Sequence, residues 1–416
     1  MAIQGLLART IGTVAPPRLG LSFRWLLAAT FINNAGDGVV VAAGPLLVAS
    51  QTHDPFLVSL ALLSEYLPAL LFGVIGGVAA DRFDRRRMVV TVNLIRAAVL
   101  AVLVATILSG AVNIALVLAT LFALGTAETF ADSASSTLIP SLVARADLGL
   151  ANARMQTAFL LVNQLVGPPI GAFLFAVGMA LPFTTNAAAF ALGAVLISRI
   201  TVTTKALNGA GSGFVSEMAE GIRWLVGHPP MRTLALTILT FNVTFGAAWS
   251  VLVLYASQRL GMDAVGFGLL TTAVAVGGLI GASIYGALER RFSLADIMRF
   301  GLLIETFTHL TLALTTAAAV ALAVLVVFGA HAVVWGTTST VVRQRAVPNE
   351  LMGRVTGVYR VAIVGGLVIG TPLGGLLASA FGITAPFWFA FGGSALLVTL
   401  LWRQFGYITH AEAYTP

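Results

Sequence analysis

Apolar runs of about 20 residues recur along the chain from Phe23 to Phe405, each long enough to cross the hydrocarbon core of a bilayer as a helix. Cutting at the charges and turn residues between them predicts spans over 24–49, 56–80, 88–109, 113–138, 152–178 and 181–200. Six more follow over 231–256, 265–287, 296–315, 318–342, 355–381 and 384–403. Several breaks are tiny, such as Ser109 and Gly110, or the stretch from Gly178 to Pro182. Such breaks suit helical hairpins, whose backbone groups are satisfied internally in lipid.

The charged residues between the runs test the count. With both termini cytoplasmic, the inside loops receive Arg82, Arg85, Arg86, Arg87, Arg145, Lys205, Arg223, Arg290, Arg291, Arg343 and Arg345. The outside loops receive only Arg259. An odd number of spans would destroy this segregation, so twelve spans in the cell's inner, cytoplasmic membrane are expected. Residues 1–22 carry Arg9 and Arg18 without the arrangement of a cleavable signal, so the N-terminus is expected to stay inside.

Composition removes whole classes of function. Of 416 residues 58% are hydrophobic and 9% charged, with a mean hydropathy of +0.96, which leaves no room for a soluble catalytic domain. The net charge of +7 comes from arginines scattered among loops rather than lining one face, so nucleic acid is not an expected partner. Cysteine is absent, which excludes disulfides and thiolate metal sites. The acids and histidines show no close ligand grouping, so no metal and no cofactor is expected. No phosphate-binding G-x-x-x-x-G-K-[ST] occurs and the only lysine is Lys205, so uphill work by this chain would need an ion gradient rather than ATP.

The chain reads as two halves, 1–200 and 231–416, joined by a linker over 201–230. The run from Asn208 to Gly213 is flexible in composition. Beyond it Phe214, Met218, Ile222 and Leu225 recur at helical spacing opposite Glu217, Glu220 and Arg223, which predicts an amphipathic helix resting on the bilayer surface. The halves echo each other. Gly167, Pro169 and Gly171 in the fifth span match Gly370, Pro372 and Gly374 in the eleventh, and Asp147-Leu148 matches Glu350-Leu351 at the same offset. Weak six-span repeats are the mark of a transporter built from two related bundles.

The loop between the second and third spans carries Gly77-x-x-x-Asp81-Arg82-x-x-Arg85-Arg86. This resembles the signature of the major facilitator superfamily. Gly36-Asp37 with Pro45, Asn93-Leu94-Ile95-Arg96-Ala97, and the stretch from Arg345 to Arg354 resemble its drug and siderophore exporter branch, which includes enterobactin exporters and macrolide efflux proteins. The resemblance covers essentially the whole chain. It implies an all-α fold of twelve transmembrane helices in two pseudo-symmetric six-helix bundles. It also implies a cytoplasmic latch of Gly77, Asp81, Arg82, Arg85 and Arg86, in which Asp81 faces the start of the eleventh span and an arginine reaches an acid on the fourth. Asp132, one turn nearer the cytoplasm than Glu128, suits that partner. Asp84 stands where the signature has a small residue, and Asn163 and Ala172 replace two glycines of the antiporter signature in the fifth span. Gly167, Pro168, Pro169 and Gly171 predict a hinge there, because glycine admits a neighbouring helix and proline removes a helix hydrogen bond.

Ionisable residues at depth are functional candidates by default. At 1.5 Å per residue, Asp37 lies about 20 Å and Glu65 about 16 Å from the cytoplasmic ends of their spans, both near the midplane. Desolvation penalises the charged form there, which suits an acid that loads and releases a proton. Arg96 and Glu128 both fall about 12 to 14 Å deep and are expected to form a buried ion pair, with Glu128 also a coupling candidate. Glu305 and His309, four apart on the ninth span, are expected to share a local hydrogen bond rather than relay protons. Phe31, Tyr66, Trp249, Tyr255, His331 and Trp335 are candidates to line a substrate cavity. The expected function is secondary export of amphipathic small molecules, drug-, antibiotic- or siderophore-like, by a monomer using proton antiport. A uniporter or proton-coupled importer of the same fold is the alternative, and a membrane scaffold or sensor the alternative of another class.

Overall fold

The computed structural model describes residues 16–201, 214–408 and 410, with the side chains of residues 81 and 214–216 outside the description. The stretch from Asn208 to Gly213, Arg9 and Lys205 therefore lie outside the described residues. After a single 3-10 turn at Pro17–Leu19 come α1 (Gly20–Gln51), α2 (Pro55–Arg82), α3 (Arg85–Leu108) and α4 (Ile114–Leu142). The fifth span is α5 (Leu148–Ala158), a π-helical stretch Phe159–Val166, and α6 (Gly167–Val177), and the sixth is α7 (Leu181–Ser198). Then follow α8 (Phe214–Gly227), α9 (Pro229–Trp249), α10 (Leu252–Gln258), α11 (Ala264–Arg291), α12 (Leu294–Leu314), α13 (Ala318–Ala346), α14 (Met352–Phe381), α15 (Ala385–Leu401) and α16 (Gln404–Ile408). Eleven segments among the described residues are long and apolar enough to cross a membrane, and α15, with 17 residues, is a shorter apolar helix that makes twelve.

Helix ends follow local chemistry. Asp84 caps α3 by accepting from Arg87 N–H at 2.8 Å, and Asn113 caps α4 by accepting from Leu116 N–H at 3.0 Å. The residue that departs from the loop signature thus starts the third span. Gly110 and Gly382 close tight turns with φ of 70° and 92°, a backbone region open to glycine. Helices α4 and α13 run to Leu142 and Ala346, past the 138 and 342 read from hydropathy. Apolar runs report the hydrocarbon core, whereas the backbone stays helical into the polar layer. Arg259, the one arginine assigned to an outside loop, closes a helix end: it donates to Leu314 O at 2.9 Å and Thr315 O at 3.1 Å, carbonyls left open at the end of α12.

Two compact units emerge, Met1–Leu47 with Leu71–Asn208, and Val48–Leu70 with Gly209–Pro416, so the first half of α2 groups with the second unit. Within the first unit α3 packs on α4 and α7. Its α1 meets the fifth span so closely that a Cβ on Gly171 would collide with the Val39 carbonyl, and one on Gly167 would lie 2.5 Å from Gly38 Cα. In the second unit α9 packs on α14, α11 on α13, and α12 on α15. Gly370 and Gly374 there face Val243 and Ala247 of α9 just as Gly167 and Gly171 face α1. The repeat in the sequence therefore returns as a repeated pairing of each half's first span with its fifth.

Helix α8 does not simply rest on a bilayer. A Cβ on Gly221 would lie 2.9 Å from the Arg354 carbonyl carbon, Arg354 Nη1 sits 2.9 Å from Glu220 Oε2, and Leu225 is buried in the core shared with α9 and α14. The apolar stripe divides, with Leu225 facing protein and Ile222 46% exposed. Phe214, the first residue of that stripe, has its side chain outside the description.

Candidate functional site

Four helices of the first unit converge on Arg96. Its Nη2 lies 3.0 Å from Asp37 Oδ1 of α1 and 3.7 Å from Glu128 Oε2 of α4, and its guanidinium carbon stands 3.9 Å from the centre of the Phe190 ring on α7. Asn186, also on α7, hydrogen-bonds Asp37 and packs over Gly36. Sequence depth paired Arg96 with Glu128 alone, whereas the shorter contact is to Asp37. The guanidinium is sealed at 5% exposure, Asp37 is open at 20% and Glu128 at 47%. One cation therefore serves two acids, the more distant of which is the more open. Removing a partner from a buried pair costs about 3–5 kcal/mol; here the second acid remains to cover Arg96. Glu65 is exposed and Tyr66 half-buried on α2.

At the arginine-rich end, Arg85 Nε donates to Ala80 O at 3.3 Å and its Nη1 to Thr137 O at 3.2 Å, joining the end of α2 to α4. Arg86 donates to Ser198 O at the end of α7. The Ala80 and Ser198 carbonyls are open ends of α2 and α7, where the helix dipole is negative, while Thr137 lies within the last turns of α4. Arg82 and Asp132 are exposed, and the Asp81 side chain lies outside the description. A Cβ on Gly77 would meet nothing within 4 Å; its neighbour Gly76 is the close one, where a Cβ would lie 3.0 Å from Ser133 Oγ of α4.

Gly167, Pro168, Pro169 and Gly171, expected to form a hinge, sit at a change of helical register. Pro168 and Pro169 bring no N–H, so the preceding carbonyls lose their α-helical donors, and Gly167 N–H reaches back five residues to Val162 O instead. The π-helical stretch Phe159–Val166 absorbs the mismatch and carries Asn163, whose carbonyl faces Gly38.

In the second unit an aromatic column runs along α9 and α13. Phe241, Phe245 and Trp249 recur every fourth residue on α9; Trp249 and Phe245 stack at 4.3 Å, Phe245 and Phe328 at 5.9 Å, and Phe241 and Trp335 at 5.8 Å. Sequence reading named only Trp249 and Trp335, although the four-residue spacing of Phe241, Phe245 and Trp249 was legible. Tyr255 is not a cavity side chain: it is wholly buried, and its hydroxyl donates to Leu312 O at 2.6 Å. His331 is also turned away from open space, 5% exposed, with Nε2 3.3 Å from Glu305 Oε2. The expected Glu305–His309 contact thus has a third member. Phe31 is 51% exposed on α1.

A family model described as transmembrane secretion effector matches residues 11–413. The chain is 31% identical over 380 residues to the multidrug efflux pump Tap of Mycobacterium tuberculosis, covering 87% of this chain and 88% of that one. It is 25% identical over 380 residues to the enterobactin exporter EntS of Shigella boydii, covering 87% and 89%. Among solved structures, that of the nucleoside transporter NupG (D323A mutant) superposes with a TM-score of 0.75 at 11% identity, over 92% of this chain and 100% of that one, a likeness of fold. With its membrane-spanning helices and paired six-span repeat, the chain belongs to the transmembrane secretion effector family of the major facilitator superfamily and is a multi-pass membrane transporter.

Proposed function

We propose that this transporter exports amphipathic small molecules, drug-, antibiotic- or siderophore-like, by alternating access in exchange for protons. The observation that carries this reading is the charge balance at Arg96, one fixed cation between Asp37 at 3.0 Å and Glu128 at 3.7 Å. With both acids ionised the group has one negative charge in excess. A proton on Asp37, or a positive group of a cargo molecule beside the more open Glu128, makes it neutral. Uncompensated charge in a low-dielectric site costs several kcal/mol, so proton and cargo compete for one role, which is the requirement for exchange. The relatives Tap and EntS, named for multidrug efflux and enterobactin export, support the outward direction and the cargo class. The half-buried Phe241, Phe245 and Trp249 of α9, backed by the buried Phe328 and Trp335 of α13, supply faces on which an apolar cargo stacks. The test is the purified protein in liposomes with an imposed pH gradient, screened with ethidium, antibiotics and siderophores. Accumulation that needs the gradient and collapses with a protonophore is expected. Equilibration indifferent to the gradient would leave a uniporter, and flow with the protons an importer.

The arginine-rich end is the cytoplasmic one in this reading, with both termini on that side. Reporters fused at Ser109 to Ala111 and at Gly382 are expected outside, and at Asp84 and the C-terminus inside. A C-terminal reporter found outside overturns the orientation and the even span count.

Gly77, Asp81, Arg82, Arg85 and Arg86, with Asp132, act as the latch. Arg85→Ala removes charged hydrogen bonds to Ala80 and Thr137, each of a kind worth about 1.5–3 kcal/mol. Losing one is enough to shift a two-state balance about tenfold. The variant should insert normally, transport more slowly, and show greater labelling of single cysteines introduced near Arg85 into this cysteine-free chain. Wild-type labelling and transport in Arg85→Ala and in Asp81→Asn would leave the arginines a topological role only.

A further inference from the structure

The second unit holds a carboxylate that this export scheme does not use. Glu305 is wholly buried on α12, and each of its oxygens faces an imidazole: His309 Nε2 is 2.8 Å from Oε1, and His331 Nε2, on α13, is 3.3 Å from Oε2. Gly301, one turn earlier, makes the room. A Cβ there would lie 2.9 Å from His331 Nδ1 and 2.7 Å from Trp335 Cδ1.

Among the described residues no fixed cation faces this group from the elements packed on it. Helix α15 carries no ionisable residue, and α16 only Tyr407, which is 69% exposed. On α12 itself, Asp296 and Arg299 pair with each other near its start. At the far end of α13, Arg343 lies over Tyr359 and Arg345 beside Glu289 of α11. Tyr285, Arg290 and Arg291 belong to the same last turns of α11. Arg232 of α9 is tied to Val226 O, and Tyr255 and Arg259 serve carbonyls at the end of α12. A carboxylate sealed from water needs compensation. Here it comes from protons on the imidazoles, and the group is neutral when it holds one. His309 Nδ1 is buried without a hydrogen-bond partner, which suits a neutral ring donating through Nε2. His331 Nε2 and Glu305 Oε2, 3.3 Å apart, are also buried without a hydrogen-bond partner, so the gap between them is where a proton is taken up.

We propose that Glu305, His309 and His331 form a second proton-binding site, separate from Asp37, whose loading is felt by the aromatic column through His331. The His331 ring meets Phe328 edge-on at 6.0 Å, and Phe328 packs on Phe245 and Trp249. Trp335, one turn on from His331, stacks on Phe241. Loss of the proton leaves Glu305 uncompensated, loosens the α12–α13 contact and shifts the rings of the column. The column's role as a cargo surface rests on the export reading; the proton site does not.

The experiment separates the two. Full-length protein in nanodiscs, without cargo, is titrated from about pH 5 to about pH 9, across the imidazole range, while tryptophan emission is followed. An imidazolium quenches a neighbouring indole, so Trp335 reports on His331. Asp37→Asn should keep the pH-dependent emission change, while Glu305→Gln and His331→Gln should each lose it. Should Glu305→Gln fail to insert, His331→Gln at the edge of the group carries the same test. Ethidium affinity in Asp37→Asn should then change with pH, by up to about tenfold per unit for one linked proton, and stay flat once Glu305→Gln or His331→Gln is added to Asp37→Asn. An emission change that survives in Glu305→Gln and His331→Gln, or vanishes in Asp37→Asn alone, overturns the proposal. Ethidium that fails to bind the wild type counts against the export reading and leaves the emission result standing.

Discussion

Asp37→Asn should abolish uphill export while leaving the protein folded and inserted. Asparagine keeps the size and the hydrogen-bonding oxygen that Asp37 offers Arg96 at 3.0 Å, and Glu128 at 3.7 Å remains as counter-ion, so the guanidinium is not stranded. What disappears is the group that changes charge. Each proton moved down one pH unit supplies about 1.4 kcal/mol, enough for about tenfold accumulation of a cargo exchanged one for one. In liposomes with such a gradient the wild type should approach that ratio, and Asp37→Asn should only equilibrate. Neutral cargo should still bind and exchange downhill, since neither needs the proton, whereas cationic cargo should bind more weakly because Arg96 and Glu128 are then already balanced. Glu128→Gln should weaken cationic cargoes more than neutral ones, and Glu65→Gln should be milder than either. Gradient-driven accumulation at the wild-type rate in Asp37→Asn would transfer the coupling role to Glu65 or Glu128.

The spans were legible because hydrocarbon length imposes itself on sequence: the run from Arg85 to Leu108 cannot be read as anything but a crossing. The pairing of Gly167 and Gly171 with Gly370 and Gly374 was legible as well, since close backbone approach requires the same residue type in both halves. Which face of a span meets protein was not. Lipid-facing and protein-facing sides are both apolar, so Leu94 and Val102, more than half exposed, look like the buried Leu100 and Leu103 of the same helix. That is why Tyr255, His331 and Trp335, expected in a cavity, lie in the core. Depth counting brought Arg96 to Glu128 but missed Asp37, because an extended arginine reaches past the level of its own Cα. The Glu305 group depended on Gly301 and on a helix pairing that periodicity does not encode.

Gly171→Leu should prevent the first unit from assembling. Between two membrane helices there is no hydrophobic gain to draw them together, so contact depends on close packing and on weak bonds between backbones. At Gly171 the place of a Cβ is taken by the Val39 carbonyl, and at Gly167 it falls on the backbone of Gly38. Backbone atoms of a helix cannot turn aside as a side chain can, so α1 must move bodily away. Overpacking costs about 1–3 kcal/mol when neighbours can adjust. Gly171→Ala should lie at the upper end of that range and lower the Tm in detergent by several degrees; leucine, which separates the helices entirely, should yield aggregated protein. Gly374→Leu should fail in the same way against the Ala247 carbonyl, because the second half repeats the contact. Gly73→Leu provides the control, since a Cβ there meets nothing within 4 Å and the added hydrophobicity is the same. Monodisperse Gly171→Leu with the wild-type Tm by size exclusion and thermal melting would mean that the approach of α1 to the fifth span is not what holds the first unit together.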